Sequence, residues 1–159
     1  MGLHSFFEDS WTILFSHPRD FTPVCTTELG EIAKLQPEFE RHLSVALGFL
    51  DPDEKDMDGL PVPVRAVVIV GPDKKVKLTI TYPPSVGRNT AELLRVVDAL
   101  QLGAAFPVAT PVNWQPGDDV MITPGVTPEQ AAEQFPGHKV VDVPSGKAYL
   151  RTTSPPQHK

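Results

Sequence analysis

One cysteine in 159 residues leaves no internal disulfide available, so no disulfide framework holds this chain together. Nor is there a run approaching the roughly 18 consecutive apolar residues of a membrane-spanning helix. Basic residues are outnumbered, 14 Lys and Arg against 20 Asp and Glu, for a formal net charge of -6 and a pI near 5.3. A nucleic-acid surface would need a basic stripe, and that balance argues against one. The first ten residues, MGLHSFFEDS, lack the basic start and apolar run of a signal peptide, and Phe6 stands where a myristoylation pattern requires Ser or Thr. The reading is a soluble intracellular chain, expected in the cytoplasm. No internal repeat, low-complexity tract or coiled-coil heptad is present. What remains is 40% hydrophobic and 21% charged residues, enough for one packed domain with a small appendage.

Trp11 to His17 (WTILFSH) is a short apolar run that reads as a buried strand. HPRDFTP breaks it. Thr22 then suits a helix N-cap and Pro23 the first helical position. The helix continues through TTELGEIAKLQPEFERH, with Cys25, Leu29, Ile32 and Ala33 on one face and a kink or restart at Pro37. LSVALGFL reads as further helix and DPDEKDMDG as an acidic loop. Arg65–Val70 and Val76–Tyr82 read as a hairpin across the turn Gly71-Pro72-Asp73-Lys74. Asn89 with Glu92 resembles a capping box before an amphipathic helix through Leu93, Leu94, Val96, Val97 and Leu100 that ends near Gly103. Nine of the 18 prolines lie in the last 54 residues, which marks a change of composition beyond Phe106. There Thr127, Pro128 and Gln130 suggest a capped short helix, and Pro144–Lys147 a turn between two short strands. The division expected is therefore residues 1–105 and 106–159, the second with little core of its own.

The lone cysteine is placed where chemistry is favoured. A thiolate is the reactive form of cysteine. The first turn of a helix offers unpaired N–H groups and a partial positive charge, both of which favour an anion. With Thr22 as cap, Cys25 is the third helical residue, which predicts a lowered pKa. Thr22 lies three residues earlier, so its hydroxyl can face the same pocket. Pro18 and Pro23 stiffen the loop and remove two N–H donors.

Pro18, Thr22 and Cys25 match the P-x-x-x-T-x-x-C signature of peroxiredoxins, and SHPRDFTPVCTTELG closely resembles the single-cysteine, peroxiredoxin-six type. LDPDEKD, GPDKKVKL, YPPSVGRN, VATPVNW, PGDDVM and PSGKAYLR carry the resemblance along nearly the whole chain. It implies an α/β fold: a thioredoxin-like sheet with flanking helices and a C-terminal extension used in dimers. By position, Cys25 corresponds to the peroxidatic nucleophile, Thr22 to the hydroxyl that bonds the peroxide and Pro18 to the residue that shields the thiolate from water. Arg65 corresponds to the arginine that stabilises thiolate and transition state, Arg88 to a second arginine of the substrate pocket, and His17 to the histidine beside the nucleophile.

The activity implied is thiol-dependent reduction of hydrogen peroxide and of organic or lipid hydroperoxides. Donors already in place stabilise the negative charge that grows on the leaving oxygen, and the product is a cysteine sulfenic acid. With no second cysteine, an outside thiol must resolve it. The resemblance implies no bound cofactor or metal, glutathione as reductant, a glutathione transferase as its deliverer and a homodimer. Relatives of this type also carry a phospholipid acyl hydrolase activity, and His4, Ser10 and Asp73 match its triad by position. Such a set works when the histidine deprotonates the serine and the acid orients the histidine. Here Glu8 and Thr12 replace the glycines of a G-x-S-x-G elbow, which allow the tight turn that exposes the serine.

The chain also departs from the family. By the resemblance the family's N-terminal segment is expected to be absent, and His42 runs directly into LSVALGFL where the family has several dozen further residues, including a central strand. The sheet is accordingly expected to be incomplete, with one side of the first strand unpaired. Three readings stay open: an active thiol peroxidase, a shortened and impaired peroxiredoxin acting only as an interaction partner, and an acyl hydrolase using Ser10.

Overall fold

The computed structural model describes residues 10–16, 23–34, 43–45, 50–55 and 61–157. The first strand, β1 (Thr12–Phe15), is buried along its whole length, as its TILF sequence requires. Helix α1 (Pro23–Lys34) follows, with proline in the first position, where its missing N–H costs nothing. Its last described residue is Lys34, and the kink or restart expected at Pro37 lies outside the described residues.

The next segment corrects two sequence expectations. Leu43–Val45, read as helix, forms β2, a strand parallel to β1 with Ile13 opposite Leu43 and Phe15 opposite Val45. The side of β1 expected to lie open is therefore occupied, by three residues among those described. The physical reason is the unpaired N–H and C=O groups along β1, which a short extended segment satisfies whatever its helix propensity. The acidic segment read as a loop contributes β3 (Leu50–Lys55), antiparallel to β4 (Pro61–Pro63). This ladder is irregular between its ends, and proline's missing N–H prevents a continuous one.

The hairpin is as read. β5 (Arg65–Val70) pairs antiparallel with β6 (Val76–Tyr82), and the turn is closed by hydrogen bonds from Lys74 N to Gly71 O at 2.9 Å and from Gly71 N to Lys75 O at 3.0 Å. The sheet order is β2-β1-β5-β6. β5 is interior and every one of its residues is buried. The apolar run RAVVIV suits a strand covered on both faces. β6 lies at the edge, with an exposed Lys77 that discourages further pairing.

The chain divides into two compact units, residues 1–91 and 92–159. Helix α2 (Thr90–Ala105) falls almost wholly in the second. That unit contains the sheet β7-β8-β10-β9, built from β7 (Val108–Ala109), β8 (Val120–Ile122), β9 (Lys139–Val140) and β10 (Arg151–Thr153). It also holds α3 (Pro128–Gln134), whose start carries the capping box formed by Thr127 and Gln130. The expectation of little core here is corrected. Val108, Trp114, Val120, Ile122, Val126, Ala131 and Phe135 form a buried cluster, with Ala99, Leu102 and Phe106 packed against it. These residues are scattered among prolines and turns, so no periodicity announces them.

Candidate active site

Three short pieces of the N-terminal unit build the site. Helix α1 presents Cys25 from its first turn and Glu28 one turn later, since residues three apart share a helix face. Strand β5 begins with Arg65. The loop after β6 supplies the Pro84 carbonyl and Arg88. Cys25 is 1% exposed, and Glu28 and Arg65 are buried with it.

Arg65 Nη1 donates to Cys25 Sγ at 3.3 Å and to Glu28 Oε2 at 2.7 Å. Its other edge is fixed by the Pro84 carbonyl, which accepts from Nε at 3.0 Å and from Nη2 at 2.7 Å. Arg88 enters from the far side of the carboxylate. Its Nη1 donates to Glu28 Oε2 at 3.0 Å and its backbone N–H to Glu28 Oε1 at 2.8 Å. The Arg88 guanidinium also lies over the Phe15 ring, 5.6 Å from its centre, within cation–π range. Burial pulls the Arg88 pKa below the ordinary arginine value; Glu28 opposes this and Arg65 adds to it. An arginine nonetheless stays charged.

The charge balance says what the arrangement favours. Among the described residues, two guanidinium groups converge on one carboxylate. Among the described residues of this cluster the guanidinium charges exceed the carboxylate charge by one, and Sγ lies 3.3 Å from Arg65 Nη1. Negative charge on that sulfur, or on an oxygen beside it, meets a fixed donor.

The structure thus brings Cys25, Arg65 and Arg88 together. His17, Pro18, Thr22 and His4 lie outside the described residues. Of the acyl-hydrolase candidates Ser10 and Asp73 are described, while His4, which would stand between them, is not. Ser10 Oγ is buried with no hydrogen-bond partner among the described residues. Asp73 is exposed, with one oxygen accepting from Lys77 Nζ at 2.7 Å and the other from Lys75 N at 3.3 Å. Lys77 holds the Asp73 pKa below the usual carboxylate value.

Sequence reading missed Glu28. The signal was available: it lies three residues after Cys25, so a carboxylate shares the face otherwise read as apolar. The Pro84 carbonyl carried no side-chain signal at all.

The chain is similar to known proteins along most of its length. Residues 2–58 match the AhpC/TSA family, and residues 99–138 match the C-terminal domain of 1-Cys peroxiredoxin. The chain is 48% identical to peroxiredoxin-6 of Gallus gallus, over 97% of this chain and 89% of that protein. It is 45% identical to a 1-Cys peroxiredoxin of Medicago truncatula, over 96% and 89% respectively. The alignment with the Gallus gallus protein runs over 200 positions against 159 residues here, so several dozen have no counterpart in this chain. Among solved structures, a cysteine-to-serine mutant of peroxiredoxin 6 from Arenicola marina superposes with a TM-score of 0.92 at 40% identity, covering 99% of this chain and 91% of that one. A yeast mitochondrial 1-Cys peroxiredoxin, studied for thiol resolution via glutathione/thioredoxin systems, gives 0.78 at 35% identity, covering 97% and 91%. Sequence, fold and the cysteine–arginine contact converge on one conclusion: this chain belongs to the 1-Cys peroxiredoxins, a family of thiol peroxidases that need no prosthetic group.

Proposed function

We propose that Cys25 is the peroxidatic nucleophile of this chain and that Arg65 is its catalytic cation. The observation that carries this reading is the 3.3 Å contact from Arg65 Nη1 to Cys25 Sγ inside a buried cluster. The thiolate attacks one oxygen of the hydroperoxide and the O–O bond breaks. Sulfur loses two electrons and becomes a sulfenic acid; the peroxide gains them and leaves as water or an alcohol once its oxyanion takes a proton. Arg65 is placed to stabilise that departing oxygen, and Arg88 holds the shared carboxylate on the other side. Pro18, Thr22 and His17 complete the proposed pocket by their positions in the sequence motif.

With one cysteine per chain, the sulfenic acid condenses with an external thiol, releasing water and forming a mixed disulfide that a second thiol reduces. Glutathione is the proposed reductant, delivered by a glutathione transferase. Support comes from the yeast relative, whose structure concerns glutathione/thioredoxin resolution. Hydrogen peroxide and organic or lipid hydroperoxides are the proposed substrates, a homodimer the proposed form and the cytoplasm, with its supply of reduced thiol, the proposed compartment.

The test is steady-state consumption of hydrogen peroxide with glutathione, in the presence and absence of a glutathione transferase. The expected result is turnover that Cys25→Ser abolishes and that coincides with sulfenic acid trapped at Cys25. A chain that consumes no peroxide and yields no trapped sulfenic acid would overturn the reading in favour of an impaired form.

A further inference from the structure

Ser16 follows the last residue of β1 and stands opposite Ala66, where the antiparallel register places the next hydrogen-bonded pair. In such a pair each residue donates its N–H to the other's carbonyl. Here only half of that exchange is made. Ser16 N donates to Ala66 O at 2.9 Å. Ala66 N donates to Ser16 Oγ, also at 2.9 Å, and to Val64 O at 3.1 Å, rather than closing the pair on the carbonyl. The hydroxyl in turn donates to Val64 O at 2.6 Å. The Ser16 carbonyl accepts from Arg88 Nη2, which also reaches Ala66 O at 3.1 Å.

We propose that Ser16 is a positioning residue for the peroxidatic site: its hydroxyl takes over a ladder hydrogen bond from its own carbonyl, grips the backbone on both sides of Arg65 and turns the carbonyl toward Arg88. This rests on the reading of Cys25 and Arg65 as the reacting pair. A serine hydroxyl has one donor and two acceptor sites, so it can serve Val64 O and Ala66 N together. Ser16 is 5% exposed, and buried polar groups of this kind need such partners. Removing the hydroxyl leaves Ala66 N with only its longer contact to Val64 O and frees it to turn to the carbonyl of residue 16, its ordinary ladder partner. The strand pairing survives and Arg88 is left short. Arg88 Nε already has no partner among the described residues, so the loss is not easily made good. The displacement passes to Glu28, whose Oε2 Arg88 shares with Arg65, and from Arg65 to the sulfur.

The experiment compares two reagents on the single cysteine of the full chain: hydrogen peroxide, whose leaving oxygen needs Arg65, and iodoacetamide, whose leaving iodide does not. In Ser16→Ala the rate of Cys25 oxidation is expected to fall by roughly tenfold, the scale of a small misplacement in an active site. Compared per thiolate, each rate taken from its own pH profile, alkylation should change by less than about twofold, because the departing iodide needs no fixed donor. Ser16→Thr retains the hydroxyl and should restore the peroxide rate. Ser16→Val, equal in shape to Thr but without the hydroxyl, should not. Equal losses with both reagents, an unchanged peroxide rate in Ser16→Ala, or loss of cooperative unfolding in both the Ala and Val variants would overturn the proposal. A wild-type cysteine with no preference for peroxide over iodoacetamide removes the underlying reading and the proposal with it. A preference retained in Ser16→Ala removes the proposal alone.

Discussion

Strand β1 is held in two unlike ways on its two sides. Toward β5 the antiparallel register runs from Thr12 opposite Val70 to Phe15 opposite Val67, then on through the Ser16 rung to Ala66, and every β5 residue is buried. Toward β2 there are three parallel pairs with Leu43, Ser44 and Val45. The described site draws only on the first side and on α1: Arg65 opens β5, Ser16 extends β1, and Arg88 follows β6. The family resemblance places the missing residues after His42, on the other side. The comparison teaches that shortening the sheet and dismantling the site are separable events. The described arginine–carboxylate network is built from α1, the start of β5 and the loop after β6.

The most damaging way to test that separation is to break the network itself. Glu28→Gln removes the one carboxylate on which Arg65 and Arg88 converge, leaving two cations buried without it. Breaking a buried ion pair by neutralising one partner typically costs about 3–5 kcal/mol. Urea unfolding should show a loss of that size, together with a fall in peroxide reactivity, while the amide still accepts from the Arg88 backbone N–H. A Gln variant of unchanged stability would mean that the β5 side does not depend on the network.

A purely apolar change on the same side should cost somewhat less and leave the chemistry alone. Ile69 is fully buried, between Ile13 of β1 and Leu78 of β6. Ile69→Ala removes buried methyl groups and leaves a cavity, worth about 2–5 kcal/mol in comparable cores. At temperatures where the variant remains folded, Cys25 should keep its peroxide rate, because Ile69 lies four residues along β5 from Arg65. A parallel loss of rate and stability would show that strand packing and site geometry are one property rather than two.

Much of this was legible in the sequence because it is local. The hairpin of β5 and β6, the helix start at Pro23, the Thr127 capping box and the P-x-x-x-T-x-x-C spacing are each written within a few residues. Cys25, Arg65 and Arg88 were also legible, through the family motif. What was hidden depends on partners far apart in the chain. Leu43–Val45 reads as helix because its residues tolerate helix; it becomes strand because β1 needs a neighbour. The core around Trp114 and Phe135 is assembled from turns and short strands with no period to detect. Glu28 shares a helix face with Cys25, but its role emerges only when two arginines, 37 and 60 residues away, close on it. Ser16 gave no signal, since its role is to exchange one backbone partner for another.

The smallest effect, and the finest test of the comparison, lies in hydrogen exchange. Opening free energies within one protein range from near zero at frayed segments up to the global stability. The β5 amides sit in an interior strand between two antiparallel neighbours, so they should exchange only through global unfolding. The amides of Leu43–Val45 belong to a three-residue strand at the sheet edge. They should exchange through local opening, at a cost far below the global value. Glu28→Gln sharpens the distinction. By lowering global stability it should speed exchange across β5 and leave 43–45 nearly unchanged, because those amides never depended on global unfolding. Equal protection on the two sides of β1 would instead make β2 part of the same cooperative unit. The three-residue strand would then be a structural substitute for what the relatives carry in that place, and the site would owe its integrity to both sides of the sheet.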